Sequence, residues 1–505
     1  MIAQDSHDLH LADLPRDLFW MVLEYLEPDE IVRCRRVCRD WNEAFSNPVV
    51  LLSLLKIQFP WTKEAEDLAS DTSAQDRSQG RRLYDQVASR YSHLERGRPR
   101  SIQKLPLCED FSSSGDREWY QVQPWETHGS HVRRLVDRLF SEALWTFEEG
   151  LLVYPSAEHQ CLVLRDLETD RQFMVPFLIR GKVIRRVRLQ RRLLVIEWAE
   201  PNAFHWLNDS DGVHRHFASS FEVTKSETEG WNIAPRNEWK IMFLGHPLSE
   251  RDRFFSAHSN THYVIYMWQP NRSLYTSDED APIESLFVWD ISRPSSYRPS
   301  LDPTGRLKGD SPDDSPSIVA RFGFRDLEFF GIRQRGCPLI QRLEITDDSQ
   351  AVEITENVCI WAEDQPPDPF GPPDPFAFPQ SVTISIPLAG NGPAWRRPCE
   401  GALPPYRGNC GLQAQPMSFD GFMVDPWFGV ISHVTVLDPD LGFCLHFDPT
   451  NWTQDQIISL TVQTPRSIVT YPNFDFIGSG KLAGCEKYLL GENCNRELVI
   501  YRFDR

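Results

Sequence analysis

Two spacings of hydrophobic positions divide this chain. Over the first hundred residues apolar side chains recur every three or four positions, the period of a helix with one buried face. Leu18, Val22, Leu23, Tyr25 and Leu26 form a broad stripe, with Pro15 where a first-turn proline is tolerated and Asp17 placing negative charge near the helix start. Pro28 stops that run. Asp29 is placed to cap a second helix, in which Ile31, Cys34, Cys38, Trp41 and Phe45 follow at intervals of three and four, with a kink or break near Cys38. VVLLSLLKIQFPW (49–61) predicts one more helix, Lys63 to Gly80 a polar flexible connection, and Leu83, Val87, Tyr91 and Leu94 a helix over 81–95.

Beyond about residue 130 the pattern becomes short runs of Val, Ile, Phe, Tyr and Trp bounded by Asp, Asn, Gly or Pro, which predicts strands and turns. Several runs end near an aspartate: CLVLRDLET (161–169), SLFVWDIS (285–292), GFCLHFDPT (442–450) and ELVIYRFDR (497–505). RRLLVIEWAEP (191–201) and THYVIYMWQP (261–270) end in tryptophan and a turn. Three- or four-stranded units stacked radially make a β-propeller, and Trp289-Asp290 reproduces the WD dipeptide. At roughly 40 to 50 residues per blade, six or seven blades are expected. A tandem of β-sandwiches is the competing architecture, and a leucine-rich solenoid lacks its register. The expected fold class is α+β multidomain: a disordered stretch at 1–8, an all-α unit at 9–60, a linker at 61–130 with its helix near 81–95, and a large all-β domain at 131–505. The Ser/Pro/Asp-rich stretch 293–317 and the proline-rich stretch 362–380 are expected as surface loops of that domain.

A unit of about 40 residues rarely buries this much apolar surface by itself, so the helical segment needs the rest of the chain or another protein. Its side chains carry an ordered pattern: Leu14-Pro15-Arg16-Asp17-Leu18, then Val22-Leu23-Glu24-Tyr25-Leu26, then Asp29-Glu30-Ile31, then Arg35-Arg36-Val37-Cys38-Arg39-Asp40-Trp41. In this order and spacing they resemble the F-box. The resemblance implies docking on the Skp-family adaptor of a cullin-RING ubiquitin ligase, and through it contact with cullin and RING subunits. Leu14, Pro15, Leu18, Leu23, Leu26, Ile31, Val37 and Trp41 are the positions that it assigns to forming or supporting the adaptor interface. A helix ending at RGRPR also resembles what often follows the F-box in fungal proteins of this kind. The implied role is a non-catalytic substrate-recognition subunit, whose β domain holds a protein substrate for ubiquitin transfer by proximity. Two alternatives stand beside it: a scaffold that binds the adaptor without delivering anything for degradation, and a propeller enzyme with an incidental helical leader.

Composition narrows the partners. A formal charge of -19 over 505 residues argues against wrapping nucleic acid or lying on an anionic membrane. The opening MIAQDSHDLH has neither the basic nor the apolar region of a secretory signal, and no run approaches the roughly 18 apolar residues of a membrane span. A cytoplasmic or nuclear protein is expected. Eleven cysteines without a CxxC indicate neither a disulfide framework nor a zinc ribbon, and Cys34 with Cys38 would need two more ligands to hold a metal. No HExxH, GxSxG or P-loop is present, so no catalytic residue, metal or cofactor is assigned. His258 and His262 read as a satisfied pair at a turn, and NDSDG (208–212) as an Asx-rich turn. IRGKVIRRVRLQRRLL (179–194) packs seven basic residues into an acidic chain. Alternation sets Val187 and Leu189 on one side and Arg186 and Arg188 on the other, a basic ridge suited to an acidic or phosphorylated substrate segment. The plainer reading is a solvated outer strand paired with neighbouring acids.

Overall fold

The structure is a computed structural model that describes residues 14–60, 62, 64–65, 77–108, 144–206, 212–226, 230–241, 248–249, 253–269, 283–302, 316–332, 340–360, 378–388, 395–398, 424–425, 430–431, 434–438, 443–449, 458–463, 468–474, 483–485, 487–493, 495 and 497–504. Among the described residues the chain starts with the helices α1 (Arg16–Tyr25), α2 (Pro28–Cys34), α3 (Arg39–Phe45), α4 (Pro48–Gln58) and α5 (Arg77–Glu95). Pro28 opens α2 at its first turn as well as ending the run before it. The cap is Glu27 rather than Asp29: Glu27 and Glu30 form a capping box in which the Glu27 N–H donates to Glu30 Oε2 at 2.9 Å. The break expected near Cys38 is the gap between α2 and α3, where Cys38 is the N-cap and its Sγ accepts the Trp41 N–H at 3.5 Å. Asn47 caps α4 by accepting the Val49 N–H at 3.0 Å. α5 begins four residues ahead of its predicted start, and there Gly80 lies so close to α4 that an added Cβ would stand 3.0 Å from Leu52 Cγ.

Antiparallel sheets make up the rest. One meander is β2 (Thr146–Glu148), β3 (Leu151–Ser156), β4 (Cys161–Asp166) and β5 (Gln172–Met174). The next consists of β6 (Val183–Gln190), β7 (Leu193–Ala199), β10 (His216–Ser226) and β11 (Gly230–Lys240), interrupted by the small pair β8 (His205–Trp206) and β9 (Gly212–Val213). A third holds β12 (Arg253–His258), β13 (His262–Gln269), β14 (Ile283–Asp290) and β15 (Ser317–Phe322), followed by the short helix α6 (Phe324–Phe329). The fourth is β16 (Ile340–Ile345), β17 (Ala351–Ile360), β18 (Phe378–Pro387) and β19 (Trp395–Pro398). After the pair β20 (Val424–Asp425) and β21 (Val430–Ile431), the fifth is β22 (Val434–Asp438), β23 (Phe443–Pro449), β24 (Ile458–Gln463) and β25 (Ile468–Phe474). The sixth joins β26 (Ala483–Gly484), β27 (Tyr488–Glu492) and β28 (Glu497–Arg502) to β1 (Ser101–Pro106) from the other end of the chain, pairing Ser101 with Arg502 through to Pro106 with Glu497. The stretch read as a linker therefore supplies a strand. Residues 1–8, the 208–211 turn and most of the proline-rich 362–380 stretch lie outside the described residues.

β28 joins the two parts of the molecule. Its Leu498 and Ile500 pack with Trp145, Leu152 and Tyr154, while Val499, Tyr501 and the following Phe503 join Leu489 in one core with Phe45, Leu54, Leu55, Tyr84, Val87 and Leu94 of the helices. A sheet covered on both faces needs an apolar residue at nearly every position, which is what LVIY supplies. A buried guanidinium reinforces the helical side: Arg90 reaches both carboxylate oxygens of Glu64 at 3.0 and 3.1 Å. The start of the 293–317 stretch lies along the outer edge strand β11, with the Ser295 N–H on the Arg236 carbonyl at 3.1 Å, and just before it Asn237 Nδ2 donates to the Ile291 carbonyl at 3.0 Å. That covers backbone an open edge would expose. Among the described residues no helix is long and apolar enough to cross a membrane.

Candidate partner-docking surface

α1 is apolar on both faces, and the two faces have different neighbours. Phe19 and Leu23 turn inward, with Phe19 edge-on to Phe45 at 5.2 Å between ring centroids and Trp41 against Phe45 at 5.5 Å. Leu18, Met21 and Tyr25, at spacings of three and four, turn outward and are 49%, 58% and 87% exposed. Pro15 is exposed beside them, and Val37, at the corner between α2 and α3, is 63% exposed. Large apolar side chains left in water on so short a unit form the kind of surface that marks a protein interface.

The corner carrying Val37 is held from beneath. Arg35 is buried; its Nε donates to the Phe45 carbonyl at 2.9 Å, its guanidinium pairs with Asp85 of α5 and lies 5.8 Å from the centre of the Tyr84 ring, and Asn42 Nδ2 donates to its own carbonyl at 3.0 Å. One side chain thus ties α2, α3 and α5 together, and the apolar surface outside them has a fixed shape. Arg33 and Arg96 both pair with Asp29, at 2.8 and 3.1 Å, and Arg39 pairs with Glu43 at 3.2 Å. These exposed pairs contribute little to stability.

The eight positions assigned to the interface separate by burial. Pro15, Leu18 and Val37 are exposed; Leu14, Leu26 and Trp41 are partly exposed and pack against the helical core. Leu23 and Ile31 are 0% exposed and belong to that core, beneath the exposed positions rather than beside them. Three short helices need inward residues of their own before they can present outward ones. Met21 and Tyr25 share this exposed stripe but were not among the eight assigned positions, although the spacing from Leu18 carries the signal.

The basic strand has its alternation but not its exposure. Val187 and Leu189 join one apolar cluster; Arg186 and Arg188 share the opposite face. That face meets β12 rather than solvent. Arg186 Nη1 donates to the Ser256 carbonyl at 3.0 Å and to its Oγ at 2.9 Å, and Arg188 Nη1 to the same carbonyl at 2.5 Å. Arg186 is 5% exposed, so the solvent-facing ridge is replaced by a buried contact between sheets. At the hairpin beyond, Arg191 and Arg192 both take positive φ, and their N–H groups donate to the two oxygens of Glu148 while their guanidinia pair with Asp347 and Glu149. The basic charge of the turn meets acids on all sides. His258 ends β12 and His262 starts β13, as a turn between them predicts. His258 is buried with Nε2 3.0 Å from the Leu193 carbonyl, and burial, with Arg188 nearby, pushes its pKa down to about 3. Among the described residues no three His, Cys, Asp or Glu side chains come together as a metal site. Cys108 is buried, Cys34, Cys161 and Cys485 are half-buried and Cys38 is exposed.

Residues 11–52 match the family model described as F-box-like. No curated protein matches the chain. Among solved structures it is similar to a chain of the mitotic checkpoint complex at 8% identity and a TM-score of 0.32, covering 80% of this chain and 95% of that one. It is also similar to the polysaccharide lyase Uly1, at 8% identity and 0.24, covering 80% and 99%, and to an alpha-L-arabinofuranosidase from Lactobacillus brevis, at 7% and 0.25, covering 68% and 91%. At these scores none of the three bears on what this chain does.

Proposed function

We propose, from the premise that this chain is an F-box protein, that it is the substrate-recognition subunit of an SCF-type cullin-RING ubiquitin ligase. F-box domains generally serve as adaptor-binding units of such complexes. The observation that carries the reading is the outward stripe of Leu18, Met21 and Tyr25, held on a buried core within the F-box-like segment. In this role the helical unit binds a Skp-family adaptor, the adaptor brings cullin and RING subunits, and the β domain holds a protein substrate. The chain performs no bond chemistry and acts in the cytoplasm or nucleus. Its contribution is effective concentration: a substrate lysine is kept near the charged conjugating enzyme.

The β domain, on this reading, is a propeller of four-stranded blades. Three features support it. The described sheets are meanders of the blade type; β2 lies against both β6 and β26, and β12 against β16, as innermost strands do around an axis; and β1 completes the sheet of β28, as closure of a ring requires. Sheets that meet face to face around a ring leave loops at both ends for a partner.

The test is affinity purification of the intact chain beside a Leu18→Ala, Met21→Ala, Tyr25→Ala variant, with adaptor and cullin quantified by mass spectrometry. Three exposed anchors removed from a small interface should weaken adaptor binding by about 100-fold or more, with the thermal unfolding of the isolated chain nearly unchanged. Equal recovery of adaptor by both proteins overturns the docking surface, and absence of adaptor from both overturns the reading as a whole.

A further inference from the structure

The 53 basic residues of this chain are divided unevenly. Nine are lysines, at positions 56, 63, 104, 182, 225, 240, 308, 481 and 487, against 44 arginines. Some arginines do what lysine cannot: Arg90 grips both oxygens of Glu64, and Arg35 donates from Nε to the Phe45 carbonyl while another guanidinium nitrogen pairs with Asp85. Geometry gives no such reason at Arg82, Arg98 and Arg180. Their side chains are exposed and make no ion pair, hydrogen bond or ring contact among the described residues, so lysine would carry the same charge there equally well.

The two side chains differ in one relevant reaction. A lysine amine, once deprotonated, attacks the thioester carbonyl of ubiquitin on a conjugating enzyme. The new C–N bond replaces the C–S bond, the enzyme's cysteine leaves as thiolate, and the amine proton passes to solvent. A guanidinium stays protonated and does not act as this nucleophile. Among the six described lysines, three are half-buried. Lys182 Nζ lies 4.3 and 4.4 Å from the centres of the Phe177 and Trp198 rings, Lys487 pairs with Glu168 at 3.0 Å, and Lys240 is half-buried. Lys56, Lys104 and Lys225 are exposed.

We infer that this chain is kept poor in lysine so that ubiquitin transferred at its complex goes to the bound protein rather than to the receptor. Self-modification of the described chain is then confined to Lys56, Lys104 and Lys225. The inference rests on the receptor reading above and adds to it the protection of the receptor from its own ligase.

The experiment uses the full chain assembled with adaptor, neddylated cullin and RING subunit, supplied with ubiquitin-charged conjugating enzyme and no substrate. Discharge of the conjugating enzyme to free lysine in solution reports whether the ligase is active, and mass spectrometry maps conjugates on the receptor. Conjugates at Lys56, Lys104 and Lys225 are expected, with none at Lys182, Lys240 or Lys487. An Arg82→Lys, Arg98→Lys, Arg180→Lys variant, which keeps its charge and loses no contact, should gain conjugates at the three new positions. Conjugation of the three half-buried lysines in the folded protein, or a variant that gains nothing while discharge proceeds, overturns the inference. A complex that neither assembles nor stimulates discharge overturns the receptor reading and the inference with it.

Discussion

His258 and His216 are fully buried, and burial is the main reason that both have pKa values far below the ordinary histidine range. The nearby guanidinia, Arg188 and Arg186 for His258 and Arg185 for His216, add to the shift. Each ring is therefore neutral in the folded protein at neutral pH. The unfolded chain binds the proton first, near pH 6.5, so the stability from each neutral ring is complete above that pH and is lost as pH falls toward the folded value. The slope is about 1.4 kcal/mol per pH unit for each histidine once the pH is well below 6.5. Denaturant unfolding at pH 7.5, 6.5 and 5.5 should show the fall, and His258→Gln, which keeps a donor for the Leu193 carbonyl, should make it shallower. Identical slopes for both proteins would mean that His258 is open to solvent. The sequence placed this histidine at a turn and it is at one; what it did not carry is the sheet packed over that turn, because β6 and β7 are distant in the chain from β12.

At the level of elements, periodicity located the helices and strands well and their outer neighbours poorly. Phe19 and Leu23 share helical spacing with Leu18, Met21 and Tyr25, and nothing in α1 itself tells which set is covered. The covering layer comes from α3, α4 and α5, with β28 behind them, and β28 lies more than 400 positions away. Likewise Arg186 and Arg188 were placed correctly on one face of β6, but a face cannot be called solvent or sheet until the sheets are assembled. The separation of faces on α1 predicts two opposite phenotypes. Leu23→Ala leaves a cavity in a closed core and should cost about 2 to 5 kcal/mol in unfolding of the isolated chain, whereas Met21→Ala should change stability by about 0.5 kcal/mol or less. Adaptor capture reverses the order once both proteins are compared at a temperature where each is folded: Met21→Ala loses more binding. Equal stability losses would place Met21 in the core and move the docking face elsewhere.

For the whole molecule, the two ends of the chain are one structural unit. Ser101 to Pro106 pair with Glu497 to Arg502, and the far face of the same sheet supplies Leu489, Val499, Tyr501 and Phe503 to the helical core. An N-terminal module joined by a linker to an independent β domain would tolerate loss of the last nine residues, since its own helices remain complete. The shared core requires otherwise. Removing residues 497–505 takes three buried side chains from beneath α4 and α5 and an inner strand from the sixth sheet, leaving apolar surface on both sides of the cut exposed to water. Hydrogen exchange of the truncated chain should therefore show protection in α4 and α5 falling by about tenfold or more, because losing even 1.4 kcal/mol of local stability has that effect. Adaptor binding should fall with it, although every residue of the docking surface is still present. Full protection of α4 and α5 with unchanged adaptor binding would mean that the helical unit folds alone. The continuity of Arg35, α5 and β28 would then have no part in holding a bound substrate at a fixed distance from the adaptor.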